Sequence, residues 1–573
     1  MPVHNADIAA IFEQIAELLE IQGANPFRVR AYHNAARTVS EFGREFTALI
    51  AAGQDVPHLP GIGKDLSGKI HEIATTGRCA LLDRLRGELP PALTELLVIP
   101  GLGPKRVRTL HEALGVDTVA QLRAAAEAGH IRTVPGFGAK TEQRILDHLR
   151  SRPGPETRML LPVAAQYAEA LADWLRGATQ VQQLEIAGSY RRRRETVGDI
   201  DILVASDAPA PVMQRFTGYD EVRQILGQGS TRASVVLACS LQVDLRVVEP
   251  AAFGAALHYF TGSKAHNIAI RKRAQARGLK INEYGVFRGK ARIAGDSEAS
   301  VFAAVDLPWI PPELREDRGE IAWAENAPLP RLIERADLRG DLHCHSRASD
   351  GHATLEELAA AARAAGLAYL AITEHSQRLT VAHGLDTARL LKHCEAIDAL
   401  NAQLDGIVLL KGIEVDILED GRLDLPDAVL SQLDLVVGAV HSHFDLPRAQ
   451  QLKRLMRAMD HSHFHLLAHP GSRELGKRPP IELDWLRLIR HARASGCFLE
   501  LNAQPRRLDL TDIHARMAKE EGVLVAVDSD AHSAHDFANL DYGIGQARRG
   551  WLEAADVLNT RPLTELRKLL KRA

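Results

Sequence analysis

From residue 338 onward, short apolar stretches alternate with Ala/Leu-rich stretches, and the apolar ones repeatedly end in a histidine or an acid. Runs such as YLAIT, VLLKGIEV, LDLVVGAV and HLLAHP have the length of strands, and the stretches between them have helical spacing. This alternation is typical of βα units in an α/β domain. In an α/β barrel the carboxyl ends of the strands meet on one face, so these polar residues are predicted to lie close together.

Nine residues at these strand ends form what we call the strand-end set. Within DLHCHSRASDG at 341–351, His343 and His345 alternate and point the same way, while Cys344 points to the other face. The other seven are Asp350, His375, Glu414, His441, His469, Asp530 and His532. Of the 25 histidines, 16 lie within 331–573. Any single histidine could instead be a core or surface residue, but nine nitrogen and oxygen ligands suit a cluster of two or three metal ions.

A second group of acids lies in the middle of the chain. GDIDIL at 198–203 places Asp199 and Asp201 two apart on a predicted strand, so both face the same side. Asp244 in QVDLRVV is an acid inside another apolar strand, where an unpaired charge is costly. These three residues, the acid triad, can hold two Mg²⁺ ions as in-line phosphoryl transfer requires. The alternative is that they are surface acids of an edge strand.

The residues just upstream favour the metal site. GSYRRRRETVGDIDIL at 188–203 joins a Gly-Ser turn and an arginine cluster to the acid pair, and we call residues 188–195 the arginine loop. Gly188, Ser189 and Arg192 could bind a triphosphate opposite the metals. A helix at 162–176 and strand candidates at 184–190, 199–205, 234–238 and 242–248 predict a mixed sheet around them.

The first 150 residues contain one motif three times. LPGIGKDLSGKI at 59–70, IPGLGPKRVRTL at 99–110 and VPGFGAKTEQRI at 134–145 each join Pro-Gly-apolar-Gly to a segment of helical spacing. The first glycine allows a tight turn, and the amides after it form a positive, phosphate-binding helix end. One copy could be a plain turn, but three copies favour DNA contact in an all-helical region. The candidate residues are Gly61, Gly63, Lys64, Lys69, Gly101, Gly103, Lys105, Gly136, Gly138 and Lys140.

Composition limits the class of protein. Apolar residues make up 46% of the 573 residues and charged residues 25%, which is ordinary for a soluble globular chain. The chain has no apolar run long enough to cross a membrane and no signal-peptide pattern at its start, and its five scattered cysteines suit a reducing compartment. A cytoplasmic protein is therefore expected. The net charge of -3 means that any DNA contact is local.

These motifs resemble known families. The three hairpins resemble helix-hairpin-helix DNA-binding motifs. The arginine loop and acid triad, with NPFRVRAYHNAART at 25–38, YFTGSKAHNIAIRKRA at 259–274 and INEYG at 281–285, resemble family X DNA polymerases over about 1–310. The strand-end set resembles the polymerase-and-histidinol-phosphatase (PHP) domain over about 337–573.

The polymerase resemblance implies roles for individual residues. The triad would bind Mg²⁺ or Mn²⁺, with Asp244 as the base for the primer 3′-hydroxyl, and Gly188, Ser189 and Arg192 would hold the β- and γ-phosphates. The remaining nucleotide contacts would be Tyr259, Phe260 and Gly262 at the sugar, Asn267 at the base edge, Arg271 on the template side, and Lys264 where relatives have an acid.

Three positions depart from the family pattern or carry a disputed role. Arg193 stands where family members commonly have a glycine, and this arginine would make the arginine loop more basic. Lys69 stands where eukaryotic relatives keep a Schiff-base lysine for removing 5′-deoxyribose phosphate. Asp65 replaces a lysine nearby, so plain phosphate binding is the favoured interpretation of Lys69 and lyase chemistry the alternative.

The PHP resemblance implies two to three Mn²⁺ or Zn²⁺ ions, with Fe as an alternative. His343, His345, Glu414 and Asp530 would hold one ion, Glu414, His441 and His469 a second, and Asp350, His375 and His532 a third. Such ions generate hydroxide from water and stabilise charge on an attacked phosphate.

The expected fold class is multidomain. An all-α helix-hairpin-helix region precedes an α+β nucleotidyltransferase palm with a thumb-like subdomain, and a C-terminal α/β PHP barrel of distorted (βα)7 type follows. The expected boundaries are 1–90 and 91–155 for the helical domains, 156–252 for the palm, 253–310 for the thumb-like subdomain, 311–336 for a linker and 337–573 for the PHP domain.

The expected function is a monomeric DNA polymerase that fills short gaps in repair, acting on gapped or nicked DNA and dNTPs. Base excision repair is the expected pathway, with end joining as another. A metal-dependent phosphodiesterase is expected in the PHP domain, acting as a 3′-5′ exonuclease and processing blocked 3′ ends. Three alternatives stay open: a PHP domain with a structural or regulatory role, a DNA-end adaptor with an inactive nucleotidyl site, and a C-terminal small-molecule phosphatase.

Overall fold

The structure is a computed structural model. It describes residues 3–42, 45–57, 59, 61–88, 93, 96–97, 99, 102–150 and 158–571. The chain forms two compact units, Met1–Arg158 and Met159–Ala573. No helix within the described ranges is both long and apolar enough to cross a membrane.

The described part of the first unit is helical, as predicted. Its apolar side chains form two buried clusters, one spanning residues 3–85 and the other joining Ile21 to residues 93–149. The helices are Asn5–Ile21, Pro26–Glu41, Phe46–Ala51, Lys64–Thr76, Ala80–Glu88, Pro104–Leu114, Val119–Glu127 and Ala139–Arg150.

A helix begins directly after each Pro-Gly-apolar-Gly motif. Gly63 and Gly103 cap the helices Lys64–Thr76 and Pro104–Leu114, and Gly138 precedes Ala139–Arg150. Gly61 and Gly136 have φ of +68° and +85°, a region that favours glycine. Gly101 and the side chain of Lys140 lie outside the described residues. The motifs therefore are tight turns at helix N-termini.

A mixed five-stranded sheet opens the second unit, in the order β2-β4-β7-β6-β5. β4 and β7 are parallel and the other neighbours antiparallel. A short pair, β1 and β3, lies beside it. The strands are β1 Met159–Leu160, β2 Gln183–Ile186, β3 Thr196–Val197, β4 Asp199–Ala205, β5 Val222–Gln228, β6 Arg232–Leu237 and β7 Gln242–Val248, and the helices are Leu161–Arg176, Gly188–Arg191 and Pro209–Thr217.

Three helices and a small antiparallel sheet follow. The helix Phe253–Thr261 packs on β4. The sheet has the order β10-β9-β8. The bounds are β8 Lys280–Asn282, β9 Gly285–Arg288 and β10 Ala291–Ala294, with the helices Phe253–Thr261, Lys264–Ala276 and Glu298–Ala303.

The segment 311–336, expected to be a linker, is folded. It contains the helix Glu320–Asn326, and Leu314 and Arg315 are fully or almost fully buried. Its acids explain the difference, because they pair with arginines of the C-terminal part: Glu313 with Arg548 at 2.7 Å. The acidic residues of this segment therefore form ion pairs in a folded region, and the segment is not an exposed linker.

The C-terminal part is a seven-stranded, all-parallel barrel whose strands follow in chain order. Cys344, the last residue of β11, bridges to Ala531 after β17, and the amide of His345 donates to the Ala531 carbonyl at 2.8 Å, so the barrel is nearly closed. The strands are β11 Gly340–Cys344, β12 Tyr369–Ile372, β13 Val408–Asp416, β14 Leu435–Ala439, β15 Leu466–Leu467, β16 Phe498–Asn502 and β17 Val525–Asp528.

Helices surround this barrel, and the last of them packs Leu566 and Leu570 on the interior cluster. Strand residues such as Leu370 and Leu409 pack on the helices, and their neighbours Ala371 and Leu410 fill the interior. The helices are Leu355–Ala364, Thr387–Asn401, Asp427–Leu430, Arg448–Met459, Trp485–Ser495, Asp512–Glu520, Leu540–Arg549 and Leu563–Leu570. The predicted α/β barrel is therefore confirmed.

Candidate functional site

The acid triad comes together on adjacent parallel strands. Asp201 on β4 lies directly beside Asp244 on β7 in the register, and Asp199 lies two residues before Asp201 on the same face. Asp244 is held by the Gln242 side-chain amide, which donates to Oδ2 at 2.8 Å, and by the hydroxyl of Ser234 on β6. Asp244 is therefore fixed in place by neighbours on two strands.

The triad concentrates negative charge. Burial and the neighbouring charges of Asp199 and Asp244 raise the pKa of Asp201 to about 7. Gly188 stands directly against it, since a Cβ at position 188 would lie 2.6 Å from Oδ2 of Asp201. The three carboxylates, with Gly188 packed against Asp201, thus fit a cation, which would offset the repulsion between their negative charges.

The arginine loop faces the next helix junction. Arg192 donates from Nη1 to the Thr261 carbonyl at 2.5 Å and from Nε to Glu316 at 3.1 Å. A Cβ on Gly262 would lie 3.1 Å from Nη1 of Arg192. Gly188 is buried and Ser189 half-buried at the start of the loop. The structure therefore brings the loop, Asp201 and the 261–262 turn together.

The other predicted nucleotide contacts line this junction. Tyr259 and Phe260 are half-buried, with ring centroids 5.2 Å apart. The Asn267 amide donates to the Tyr259 carbonyl at 2.7 Å, and Arg271 donates to the Asn267 carbonyl at 3.3 Å. Lys264 is exposed. Asn267 thus joins the two helices, and its Oδ1 is a buried acceptor without a hydrogen bond in the described part of the chain.

The side chain of Arg193, which is predicted to make the arginine loop more basic, contacts the barrel. Its φ of +55° turns its side chain toward the barrel. There it donates to the Asp541 carbonyl at 3.2 Å and lies over Gly545, where a Cβ would approach its Nε to 3.1 Å. The arginine that stands here in place of glycine therefore contacts the barrel domain.

Further contacts join the arginine loop to the barrel. Arg473, four residues after His469, pairs with Glu195 at 2.7 Å. Arg549 donates to the Arg192 carbonyl at 2.8 Å and to Glu316 at 3.0 Å. Because Glu316 also binds the Arg192 guanidinium, one carboxylate links the loop to the barrel. We call Arg192, Glu316 and Arg549 the loop clamp.

The strand-end set converges at one end of the barrel around Glu414. The alternation that places Leu410 inside also places Glu414 inside. Its Oε1 lies 3.0 Å from His469 Nε2 and 3.3 Å from His441 Nε2. Its Oε2 lies 2.7 Å from His375 Nδ1 and 3.5 Å from His343 Nε2. The two oxygens face different rings, as the oxygens of a carboxylate shared between two cations would.

Two further sub-groups surround this hub. His345 Nε2 lies 3.3 Å from Asp530 Oδ1, with His343 nearby. Asp350 Oδ1 lies 3.4 Å from His375 Nε2 and 3.5 Å from His532 Nε2, and His345 also belongs to this group. All nine predicted residues therefore meet, and His345 and His375 each belong to two groups instead of one.

The donor atoms fit metal ions. Nε2 of His343 and His345, Oε2 of Glu414 and Oδ1 of Asp350 are buried polar atoms without a hydrogen-bond partner among the described residues. Burial and the neighbouring rings of His375 and His532 lower the pKa of His345 to about 4, so this ring is neutral. Burial opposes ionisation of Glu414, but His375, His441 and His343 outweigh it and hold its pKa well below its usual range. The neutral ring of His345 and the ionised carboxylate of Glu414 are both kinds of donor that cations bind.

The sequence analysis missed acids that hold two of the candidate ligands in place. Glu500, fully buried on β16, accepts from Nδ1 of His343 at 2.6 Å, and Asp416 lies 2.9 Å from Nδ1 of His441. Acids in this position fix the tautomer and direction of a ligating histidine. An acid inside an apolar strand, FLELN, was the available signal for Glu500. Arg507 was also missed, and its Nε lies 3.6 Å from Oδ2 of Asp530.

In the first unit, four of the hairpin glycines have no described neighbour where a side chain would begin. A Cβ at Gly63, Gly103, Gly136 or Gly138 would meet no described atom within 4 Å. Lys64 and Lys105, at the starts of two helices, are exposed.

Lys69 is engaged by neighbours of its own unit. It pairs with Asp65 at 2.5 Å. Burial works against its charge, but hydrogen bonds with Asp65 and the Tyr32 phenol outweigh burial and raise the pKa of Lys69. Lys69 is therefore a cation.

Four family models match the chain. A helix-hairpin-helix domain covers residues 3–79, a SAM-like helix-hairpin-helix tandem 93–151, a DNA polymerase beta thumb 256–316 and a PHP domain 341–504.

Probable phosphatases are similar to the C-terminal part alone. One from Thermoanaerobacter sp. (strain X514) is 29% identical over 232 residues, or 38% of this chain and 89% of that one. Another, from Caldanaerobacter subterraneus, is 32% identical over 216 residues, or 36% and 80%.

The chain is similar over its full length to the DNA polymerase/3′-5′ exonuclease PolX of Bacillus subtilis (strain 168). The two chains are 38% identical over 575 residues, which covers 100% of each. Helix-hairpin-helix, polymerase thumb and PHP models match in the same order as the described domains. The chain therefore belongs to the bacterial family X DNA polymerases that carry a C-terminal PHP domain.

Proposed function

We propose that this protein is a DNA polymerase that fills short gaps during DNA repair and also removes 3′-terminal nucleotides with its PHP domain. The observation that carries the proposal is the presence of two complete ligand sets in one chain, the acid triad and the strand-end set. The full-length relative, named as a polymerase and 3′-5′ exonuclease, supports the same pair of activities.

In the polymerase half, Asp199, Asp201 and Asp244 would hold Mg²⁺ or Mn²⁺, since carboxylates suit these hard ions. Bound ions would supply Lewis-acid activation of the primer 3′-hydroxyl and neutralise charge on the phosphates. Asp244, held by Ser234 and Gln242, would accept the hydroxyl proton. Gly188, Ser189 and Arg192 would orient the triphosphate.

The rest of the nucleotide would lie along the helix junction. Tyr259, Phe260 and Gly262 would contact the sugar, and Asn267 would present its free Oδ1 toward the base. Lys264 and Arg271 would add positive charge on the nucleotide and template sides. For Arg192 to reach a triphosphate, it would have to exchange its bond with Glu316 for a bond with phosphate.

In the PHP half, the nine strand-end residues would hold two to three ions, which would supply hydroxide from water and polarise the attacked phosphodiester. The mixed imidazole and carboxylate donors suit Mn²⁺, Zn²⁺ or Fe. Glu500 and Asp416 would keep His343 and His441 oriented. Arg507 would place a cation beside the anionic substrate.

The DNA would be held through its phosphates by the hairpins. Exposed helix N-termini at Gly63, Gly103 and Gly138, with Lys64, Lys69, Lys105 and Lys140, suit backbone contacts that carry no base code. The substrate would be gapped or nicked DNA with dNTPs, handled by a monomer in the cytoplasm during base excision repair or end joining.

A one-nucleotide gapped duplex with a labelled primer tests both activities. We expect extension by one nucleotide when dNTPs and Mg²⁺ are present, shortening of the primer when dNTPs are absent and Mn²⁺ is present, and neither with a chelator. A wild-type protein that extends no primer would refute the polymerase. One that never shortens a primer with any of Mn²⁺, Zn²⁺ or Fe²⁺ would refute the exonuclease.

A small-molecule phosphatase is the second candidate for the PHP half, because the relatives that match this half alone are named as probable phosphatases. Product analysis separates the two. An exonuclease releases nucleoside monophosphates from DNA, whereas a phosphatase releases inorganic phosphate from monoesters.

We expect Mg²⁺ to stabilise the polymerase site more at pH 8 than at pH 6. The pKa of about 7 means that Asp201 in the metal-free fold keeps a proton between about pH 4 and 7, whereas the unfolded chain does not. Metal-free stability should therefore fall as pH rises through this window, and Mg²⁺ should bind better once the proton is lost. The Tm with and without Mg²⁺ at both pH values measures this, and Asp201→Asn should lose the pH difference.

We expect Lys69 to form little Schiff base at neutral pH, because its raised pKa keeps the amine protonated. Borohydride trapping on DNA with a 5′-deoxyribose phosphate measures it. Asp65→Asn should raise the trapped yield by up to roughly fivefold, the effect of losing an exposed pair of up to about 1 kcal/mol. Lys69→Ala is the control for specific trapping. Efficient trapping by the wild type would contradict the phosphate-binding interpretation.

A further inference from the structure

Asp350 differs from other strand-end residues in its place on the chain. His343 lies on β11 and Glu414 on β13, whereas Asp350 lies in a turn after β11, and we call residues 346–350 the Asp350 turn. Side chains on a strand take their direction from the pleat, but a turn needs contacts of its own to keep one direction. The position of Asp350 in the third group therefore depends on what holds this turn.

The carboxylate of Glu374 holds the Asp350 turn. Glu374 directly precedes His375 and is fully buried. Its Oε1 accepts from the amide of Ser346 at 3.0 Å and from the Ser346 hydroxyl, and its Oε2 accepts from the hydroxyl of Ser349. Both serines are buried, and Ser349 directly precedes Asp350. One carboxylate therefore joins the first residue of the turn to the neighbour of the ligand.

Glu374 and the turn are also supported by surrounding elements. The carbonyl of Glu374 accepts from the amide of Glu414 at 2.9 Å, which fixes its backbone on β13. Its Oε1 lies 3.2 Å from Nε2 of His393, on the helix that also carries Arg389. Arg389, four residues before His393 and so on the same helix face, donates to the Ala348 carbonyl of the turn at 2.6 Å. A strand and a helix therefore support the same turn.

We propose that Glu374 is a positioning residue for the third metal group, and that it holds the turn so that the Asp350 carboxylate meets His375 and His532. The proposal rests on the metal centre of the proposed exonuclease and deepens it. Asp350 Oδ1 lies 3.4 Å from His375 Nε2 and 3.5 Å from His532 Nε2. This oxygen is buried without a hydrogen-bond partner among the described residues, so the turn sets where it lies.

Mn²⁺ binding to the full-length protein tests this. Chelator-treated protein is dialysed against graded Mn²⁺, and elemental analysis gives the ions bound per chain. Asp350→Ala should lose one ion. Glu374→Leu, which accepts no hydrogen bond, should weaken the same ion roughly 10- to 100-fold, the usual effect of losing a group that orients a metal ligand. The double variant should lose no more than Asp350→Ala does, because both changes act on one ion.

Glu395→Leu is the matched control, because Glu395 is exposed and lies two residues after His393 on the same helix. It should bind as many ions as the wild type. Glu374→Gln, which keeps one oxygen for Ser346, should retain the ion better than Glu374→Leu does. A general loss of barrel structure would remove every ion, whereas the positioning role affects one.

Mn²⁺ binding by Glu374→Leu that matches the wild type would overturn the proposal, as would loss of every ion. The same holds for a double variant that binds fewer ions than Asp350→Ala, or for an Asp350→Ala protein that loses none. In these cases the wild type still binds metal and shortens primers, so the proposed exonuclease stands. A wild type that binds no Mn²⁺ and shortens no primer would overturn the metal centre and the role of Glu374 with it.

Discussion

Asp201→Asn should reduce nucleotide incorporation roughly a thousandfold or more while leaving 3′-terminal hydrolysis unchanged. Asp201 lies beside Asp244 and close to Asp199, so its carboxylate is the centre of the proposed cation site. Metal stabilisation of charge in the transition state is worth several kcal/mol, and about 1.4 kcal/mol corresponds to tenfold in rate. Asparagine keeps the volume and removes the charge.

The fold should tolerate this change. Burial and two like charges already raise the pKa of Asp201. An ionised group at this position therefore destabilises the metal-free protein, and a neutral amide removes that destabilisation. Single-turnover primer extension on gapped DNA measures the effect. Asp207→Asn, at an exposed acid two residues beyond β4, is the matched control and should behave as the wild type. Incorporation that persists in Asp201→Asn would remove the acid triad from the chemistry.

Glu414→Gln should have the complementary effect: loss of 3′-terminal hydrolysis by about a thousandfold, loss of bound metal, and retained polymerase activity. Both Glu414 oxygens face histidines, with His469 at 3.0 Å and His375 at 2.7 Å. A neutral amide cannot bridge two cations in the way a carboxylate does. Elemental analysis of the purified protein should show fewer ions per chain.

The variant could lose stability, because removing one member of a buried charge cluster costs about 3–5 kcal/mol. Primer extension by the same preparation reports whether the polymerase half, which contains none of these residues, is folded. Glu419→Gln is the control, because this acid lies on the same segment but is 62% exposed. Hydrolysis and metal content that match the wild type would show that Glu414 is not a ligand.

Much of the site could be predicted from the sequence because it follows from local rules. Alternation along a strand fixes which side chains share a face, and parallel strands end together. These two rules are enough to collect His343, Glu414 and Asp530, which are distant in the chain. The acid triad follows from the same alternation on β4, completed by the neighbouring strand β7.

Features that depend on contacts between distant segments could not be predicted. The direction of Arg193 depends on Asp541 and Gly545, more than 340 residues away, and local pattern says nothing of that partner. The segment 311–336 has the composition of a linker because its acids pair with arginines of the barrel. β5 was missed because its residues are exposed on both faces and show no alternation.

Other members of the site have signals that are ambiguous in sequence. Glu500 is an acid inside an apolar strand, as Asp244 is, but one orients a ligand and the other belongs to the triad. Only the side-chain partner distinguishes them. His375 contacts both Glu414 and Asp350, so the predicted third set also shares a residue with the other two, which the sequence does not show.

The loop clamp affects what can be learned from fragments of this enzyme. Glu316 is shared between Arg192, the proposed triphosphate ligand, and Arg549 of the barrel. A fragment that ends before the barrel would lose Arg549 and leave Arg192 as the principal partner of that carboxylate. The polymerase half in isolation would therefore be a catalyst with an altered nucleotide pocket, and its kinetics would not represent those of the intact chain. Through Arg549 the barrel would support the proposed nucleotide pocket from behind, so the two halves would act as one working unit.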